Sequence, residues 1–182
     1  ARAARLLGDG DYRGLGELHI FAMDRDSPVL AALVELVSAR GLLLMIHGDA
    51  AVIDSIFARA PGVKLIWAHL GTEPSPDAIS PMLERYPRLY VDTSVRDERF
   101  TDEDGCLRDE WRQFLVAHSD QVLVGVDTHW PPRWRRFDEV VDRIRGWLGQ
   151  LPPEVAERLA YRNAAALFGL TDRSVDPSSN GA

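Results

Sequence analysis

The sequence predicts an α/β fold built on a parallel sheet. Three observations carry this expectation. Short, near-continuous apolar runs recur along the chain, amphipathic helical stretches alternate with them, and capping or turn residues punctuate the boundaries. Apolar runs of this kind suit strands buried on both faces, and βα alternation implies right-handed crossovers. An open doubly wound sheet and part of a (β/α)8 barrel both satisfy the pattern.

Taken in order, residues 1–14 read as the end of a helix and a loop. The first strand is predicted over 14–21, with Glu17 and His19 on one of its faces. A helix is predicted over 28–40, with Ser27 as N-cap, Pro28 in the first turn and Gly41 at the stop. Its apolar positions Val29, Leu30, Leu33, Val34 and Val37 share one side. Strands follow over 42–47, 63–69, 88–93 and 121–127, and helices over about 50–60, 75–86 and 107–118. An acidic loop is expected over 96–105. Helices over 134–148, 153–161 and 163–168 close the fold. The tail, 171–182, is polar and expected to be disordered. Residues 1–170 read as one domain.

Composition narrows the function classes. The chain has 182 residues, is 46% hydrophobic and carries a formal net charge of −7. That supports a hydrophobic core and argues against general nucleic-acid binding. Apolar runs such as 42–46 are far short of the roughly 20 residues a membrane helix needs. One cysteine, Cys106, leaves no internal disulfide framework. With no secretory stretch ahead of the first strand, a cytoplasmic location is expected. A small-molecule substrate is the expected partner, with no nucleic acid and no membrane. A homo-oligomer would be one way to cover an open sheet edge.

In parallel α/β folds the chemistry sits at the carboxyl ends of the strands. The second strand ends in His47, the third in His69 and the fifth in Asp127, and the first carries Glu17 and His19. The fourth ends in Asp92, Thr93 and Ser94, with Arg96 beyond. Imidazole and carboxylate are the ligands of zinc and similar divalent ions. One strand-end histidine is ordinarily structural; such residues on four of five strands point to a metal site. Asp49 is better read as the N-cap of the next helix. Arg96 suits a substrate carboxylate or phosphate, or else an ion pair with Asp97 or Glu98. Arg133, Arg135 and Arg136 cluster with Trp130 and Trp134, as an anion-binding rim or a solvated helix face. His118 reads as a helix C-terminal residue.

The segments GELHI, LMIHGD, IWAHLG and VGVDTHW, in that order, resemble the second half of the amidohydrolase superfamily. The likeness is to the amidohydrolase-2, or amidohydrolase-related, family of metal-dependent hydrolases, and the ending ERLAYRNAAALFGL is similar to that family's final helix. The resemblance implies a distorted TIM barrel, here a partial (β/α)8 barrel of about five C-terminal βα units plus closing helices. It implies Glu17, His47, His69 and Asp127 as metal ligands. Asp127 is also the proton shuttle, and a histidine at the mouth, His47 or His69, is left to stabilise an oxyanion when not committed to metal, with His69 as the catalytic choice. Arg96 is left to the substrate, and His19 to the substrate or to a place as a ligand or behind the ligands. The implied cofactor is a divalent metal, zinc first, with manganese or iron as alternatives. The family's first strand supplies a His-x-His or similar ligand pair, and no such strand precedes Glu17; the chain is therefore expected to be N-terminally truncated. The reaction implied is hydrolysis of a small amide, ester or lactone. The alternatives are a decarboxylase on the same scaffold, a TatD-like metal-dependent nuclease, or a non-catalytic barrel fragment serving as a binding module.

Overall fold

Five parallel strands form a single sheet in the order β1-β2-β3-β4-β5, in the computed structural model, which describes residues 2–8 and 12–170. The tail expected over 171–182 lies outside the described residues. The strands are β1 (Gly14–His19), β2 (Leu43–His47), β3 (Lys64–Trp67), β4 (Leu89–Asp92) and β5 (Val122–Leu123). Consecutive order decides between the two architectures. A doubly wound sheet reverses direction and puts helices on both faces. Here every crossover advances the same way, so right-handedness places the connecting helices on one face, as in a barrel wall. The chain is an arc of a (β/α)8 barrel.

Helix α1 spans Arg2–Gly8 and precedes β1. Helices α2 (Pro28–Ala39), α3 (Ala50–Arg59), α4 (Pro76–Arg85) and α5 (Asp109–Ala117) link the strands. Their starts follow the capping logic of the sequence. Ser27 Oγ accepts the Val29 N–H, Asp49 Oδ1 accepts those of Ala51 and Val52, and Ser75 Oγ accepts that of Ala78. Gly41 takes a φ of +64° just past α2, the left-handed stop that glycine allows at least cost. The helices bury Leu30, Val34, Ile53, Ile56, Ile79 and Leu115 against Leu44, Ile46, Leu65, Leu89 and Val91 of the strands. On the opposite face Leu43, Ile66 and Leu123 meet Leu167 of the closing helix.

Three elements depart from the sequence reading. β5 ends at Leu123 rather than Asp127, because past it the backbone turns to other partners: Val124 N–H bonds to Leu159 O. The helix expected over 134–148 is two, α6 (Pro131–Arg135) and α7 (Phe137–Leu148), broken at Arg136. The last two predicted helices run together as α8 (Pro153–Glu157), a π-turn over Arg158–Arg162 and α9 (Asn163–Phe168). Asn163 explains the junction: its amide donates to Ser119 O and Val122 O, tying the helix to the foot of β5. The acidic loop is also better anchored than its charge suggests. Phe100 is fully buried within it, between Trp111 and Trp147. Among the described residues no helix is long and apolar enough to cross a membrane.

Candidate metal centre

The strand ends deliver the polar residues to one place. Glu17 lies at its middle, with Oε1 3.0 Å from His47 Nδ1, 3.1 Å from His69 Nε2 and 3.4 Å from His19 Nε2. Asp127 Oδ2 is 3.9 Å from His69 Nε2. The His19 and His47 rings stack at 4.4 Å, and His47 meets His69 edge-on at 5.1 Å. Glu17, His19 and His47 each offer one ligand atom, all within 4.8 Å of one another. His19, left from the sequence to the substrate or to a place at the ligands, thus sits with the metal-capable group, while Glu17, His47, His69 and Asp127 are brought together around it.

Local backbone geometry presents these groups. His69 follows β3 in a short 3-10 turn, Ala68–Leu70, with φ of +58°, a left-handed conformation that a non-glycine residue holds only when its surroundings fix it. Gly71 follows at φ of +77°, and a Cβ there would lie 2.5 Å from the Trp67 ring. Trp67 in turn donates its indole N–H to Gly48 O at 2.7 Å, joining the ends of β2 and β3. Arg96 spans the same turn, with Nε on His69 O at 3.0 Å and Nη2 on Gly71 O at 3.2 Å. Burial pulls its guanidinium below its ordinary range, with Arg99 adding to the pull and Asp92 opposing it.

A relay that the sequence reading missed orients His69. Its Nδ1 lies 2.7 Å from Ser94 Oγ, and Ser94 Oγ–H bonds to Asp92 Oδ1. The buried Asp92 also accepts the backbone N–H groups of Ser94 and His69. Burial pushes the Asp92 carboxyl above the usual carboxylate range, against these donors and the nearby His69. Three donors converge on it, which suits its ionised form. Ser94 spends its only proton on Asp92, so His69 Nδ1–H must donate to Ser94, and in the neutral ring this leaves Nε2 bare. Two acceptors, Nε2 and the Glu17 carboxylate, then face each other at 3.1 Å. Such a contact is repulsive unless a cation or proton lies between, and imidazole with carboxylate is a donor set for a divalent ion. The residues present fit the metal. The Asp-x-Ser at the end of β4, beside the β3 histidine, was the available signal.

At Asp127, burial works to raise the carboxyl. The His129 backbone N–H and ring, with His69 nearby, outweigh that and hold it below its ordinary range. The arginines expected near it divide. Arg133 is half-buried in bonds of its own, Arg136 pairs with Glu139, and Arg135 is exposed. Trp130 and Trp134 stand exposed after β5, as Phe21 and Met23 do after β1.

No curated protein matches the chain. Several solved structures share its fold. An amidohydrolase from Burkholderia multivorans with bound HEPES is 16% identical, with a TM-score of 0.65; the match covers 93% of this chain and 70% of that one. Its zinc-bound crystal form gives 17% identity and a TM-score of 0.58 over the same shares. A candidate 2-pyrone-4,6-dicarboxylic acid hydrolase from Pseudomonas putida is 18% identical, TM-score 0.61, covering 92% and 67%. A 2,6-dihydroxybenzoate decarboxylase complexed with 2,6-dihydroxybenzoate is 15% identical, TM-score 0.52, covering 80% of this chain and 56% of that one. The chain thus spans between about half and 70% of the length of these proteins. At such identities the likeness shows the barrel fold. The sequence goes further: the amidohydrolase family model matches residues 1–170, so the chain belongs to the amidohydrolase family of metal-dependent hydrolase-type enzymes.

Proposed function

We propose that the chain carries most of the metal centre of a hydrolase acting on a small-molecule amide, ester or lactone. The observation behind this reading is the convergence of three imidazoles on one Glu17 oxygen, with Asp127 alongside. Glu17, His47, His69 and Asp127 would hold a divalent ion, zinc first and manganese or iron as alternatives, with His19 next to them. When bound, the ion supplies Lewis acidity and lowers the pKa of a bound water toward neutrality. The residues do the rest. Asp127 Oδ2 accepts the proton of the attacking water and returns it to the leaving group, and its lowered pKa keeps it ionised for that task. Ser94 and Asp92 hold His69 in the tautomer whose bare Nε2 faces inward as a ligand for the ion; that nitrogen carries no proton to give an oxyanion. Arg96 has Nη1 left over from its two carbonyl bonds, a donor for a substrate carboxylate. The exposed Phe21, Met23, Trp130 and Trp134 favour a substrate with an apolar body. The expected setting is the cytoplasm.

Metal analysis of the purified chain tests the reading. One equivalent of zinc, manganese or iron is expected, lost on His47→Ala or His69→Ala. A panel of esters, lactones and amides then identifies the bond cleaved, with turnover lost in Asp127→Asn. Release of carbon dioxide from carboxylated substrates would move the assignment to a decarboxylase. A chain that binds none of these metals overturns the proposal.

A further inference from the structure

We infer that Arg133 is a positioning residue for Asp127, locked in place by the buried carboxylate of Asp97. Asp127 has φ of +52°, a left-handed conformation in a residue with a side chain. The sheet does not impose it, because β5 pairs with β4 only through Val122 and Leu123. The hold comes from neighbouring bonds. Val126 O, the carbonyl of the peptide leading into Asp127, accepts Arg133 Nε–H at 2.9 Å. On the other side Asp127 Oδ1 accepts the His129 N–H at 3.0 Å.

The far end of the Arg133 fork is fixed as well. Its Nη2 donates to Asp97 Oδ1 at 2.5 Å, and Arg143 Nη1 donates to Asp97 Oδ2 at 2.8 Å. The Asp97 side chain is 2% exposed and that of Arg133 15%. A planar guanidinium can bond a carbonyl and a carboxylate at once, which the single ammonium of lysine cannot reproduce in this geometry. Asp97 lies on the loop after β4 and Arg143 on α7, so three segments are joined beneath one peptide. Arg96 does the same at the other left-handed site residue, with its Nε on the carbonyl of His69. The sequence-level choice between an anion-binding rim and a solvated face therefore has a third answer for Arg133: its fork is spent inside the protein.

This inference rests on Asp127 being a functional carboxylate, and its test has two arms. The first needs no metal. Amide hydrogen exchange on the full chain is expected to speed up at least tenfold over residues 126–129 in Arg133→Met and Arg133→Lys, with β2 and β3 unchanged. The second loads the chain with cobalt(II), whose visible absorption reports coordination. Arg133→Lys is expected to weaken cobalt binding about tenfold and shift the bands, and Asp97→Asn to do so to a lesser degree. Unchanged exchange at 126–129 with an unchanged cobalt spectrum, even alongside a lower melting temperature, overturns the proposal, since that is the behaviour of a clasp that only stabilises. Exchange that rises equally everywhere also overturns it. If the wild-type chain binds no cobalt, the metal-centre reading fails while the exchange arm still decides the role of Arg133.

Discussion

At the residue scale, His69 is held at its peptide N–H, its carbonyl and its ring. Its peptide N–H rests on Asp92, its carbonyl on Arg96 and its Nδ1 on Ser94, so its ring has one orientation and one tautomer. Ser94→Ala removes the acceptor for Nδ1–H and frees the ring to turn or to change tautomer. Partners of this kind typically contribute 10–100-fold to metal affinity. Zinc affinity, measured by competition with a chromophoric chelator, is accordingly expected to fall by about that factor, with little change in melting temperature. Wild-type affinity in this variant would show that the relay does not orient the ligand. The sequence named His47, His69 and Asp127 as strand ends. His47 does close β2, whereas His69 sits in the turn after β3 and Asp127 four residues past β5, so apolar character marked the region but not the exact strand end. The Ser94–Asp92 relay was not legible, because it joins two strands whose register appears only on folding. The same holds for Arg133, whose partners lie at Val126 and Asp97 on different segments.

Elements are set by local rules wherever neighbours agree with them. Caps at Ser27, Asp49 and Ser75 were readable, and the three helices begin there. Context overrode the pattern elsewhere. Gln121 to Asp127 has the apolar character of a strand, yet only Val122 and Leu123 join the ladder. Phe100 was hidden by the acidic residues around it, although it is the apolar pin of its loop. Phe100→Ala is expected to cost about 3–5 kcal/mol, read by urea unfolding. Gly71→Ala should cost about 3 kcal/mol, since the methyl meets the Trp67 ring and φ is left-handed. At the end of α5, the C-cap His118 was expected to gain from the helix dipole. It is 8% exposed instead, and burial lowers its pKa against the pull of Glu84 and Asp120. The sign follows from linkage. A histidine whose folded pKa lies below the unfolded value of about 6.5 binds protons better when unfolded, so stability falls as pH drops below that value toward the folded pKa. His118→Gln is expected to flatten unfolding free energy against pH between about 7 and 5. An unchanged slope would show that burial does not control this group.

For the whole molecule, the consequence of consecutive strand order is that the carboxyl ends lie side by side along one rim. Glu17 and His19 belong to β1, His47 to β2, His69 to the turn after β3 and Asp127 to the segment after β5. Each is anchored locally, yet together they place acceptor atoms in mutual contact, as Glu17 Oε1 and His69 Nε2 do at 3.1 Å. With neither a cation nor a proton between them these acceptors oppose folding; a bound ion would draw at least three strands together. An ion that binds only the assembled rim stabilises the native state by mass action, by about 2.7 kcal/mol at a free concentration 100 times its dissociation constant. Zinc addition is therefore expected to raise the melting temperature, and a chelator to reverse the gain. Glu17→Gln separates the two halves of the argument. It replaces the central carboxylate with an amide whose N–H can donate to a bare imidazole nitrogen, so the metal-free variant should melt at or above the metal-free wild type. The same variant should gain little or nothing from zinc. A metal-free Glu17→Gln that melts well below the metal-free wild type, or that keeps the full zinc response, would show that Glu17 is an ordinary hydrogen-bonding residue rather than the centre of a metal rim.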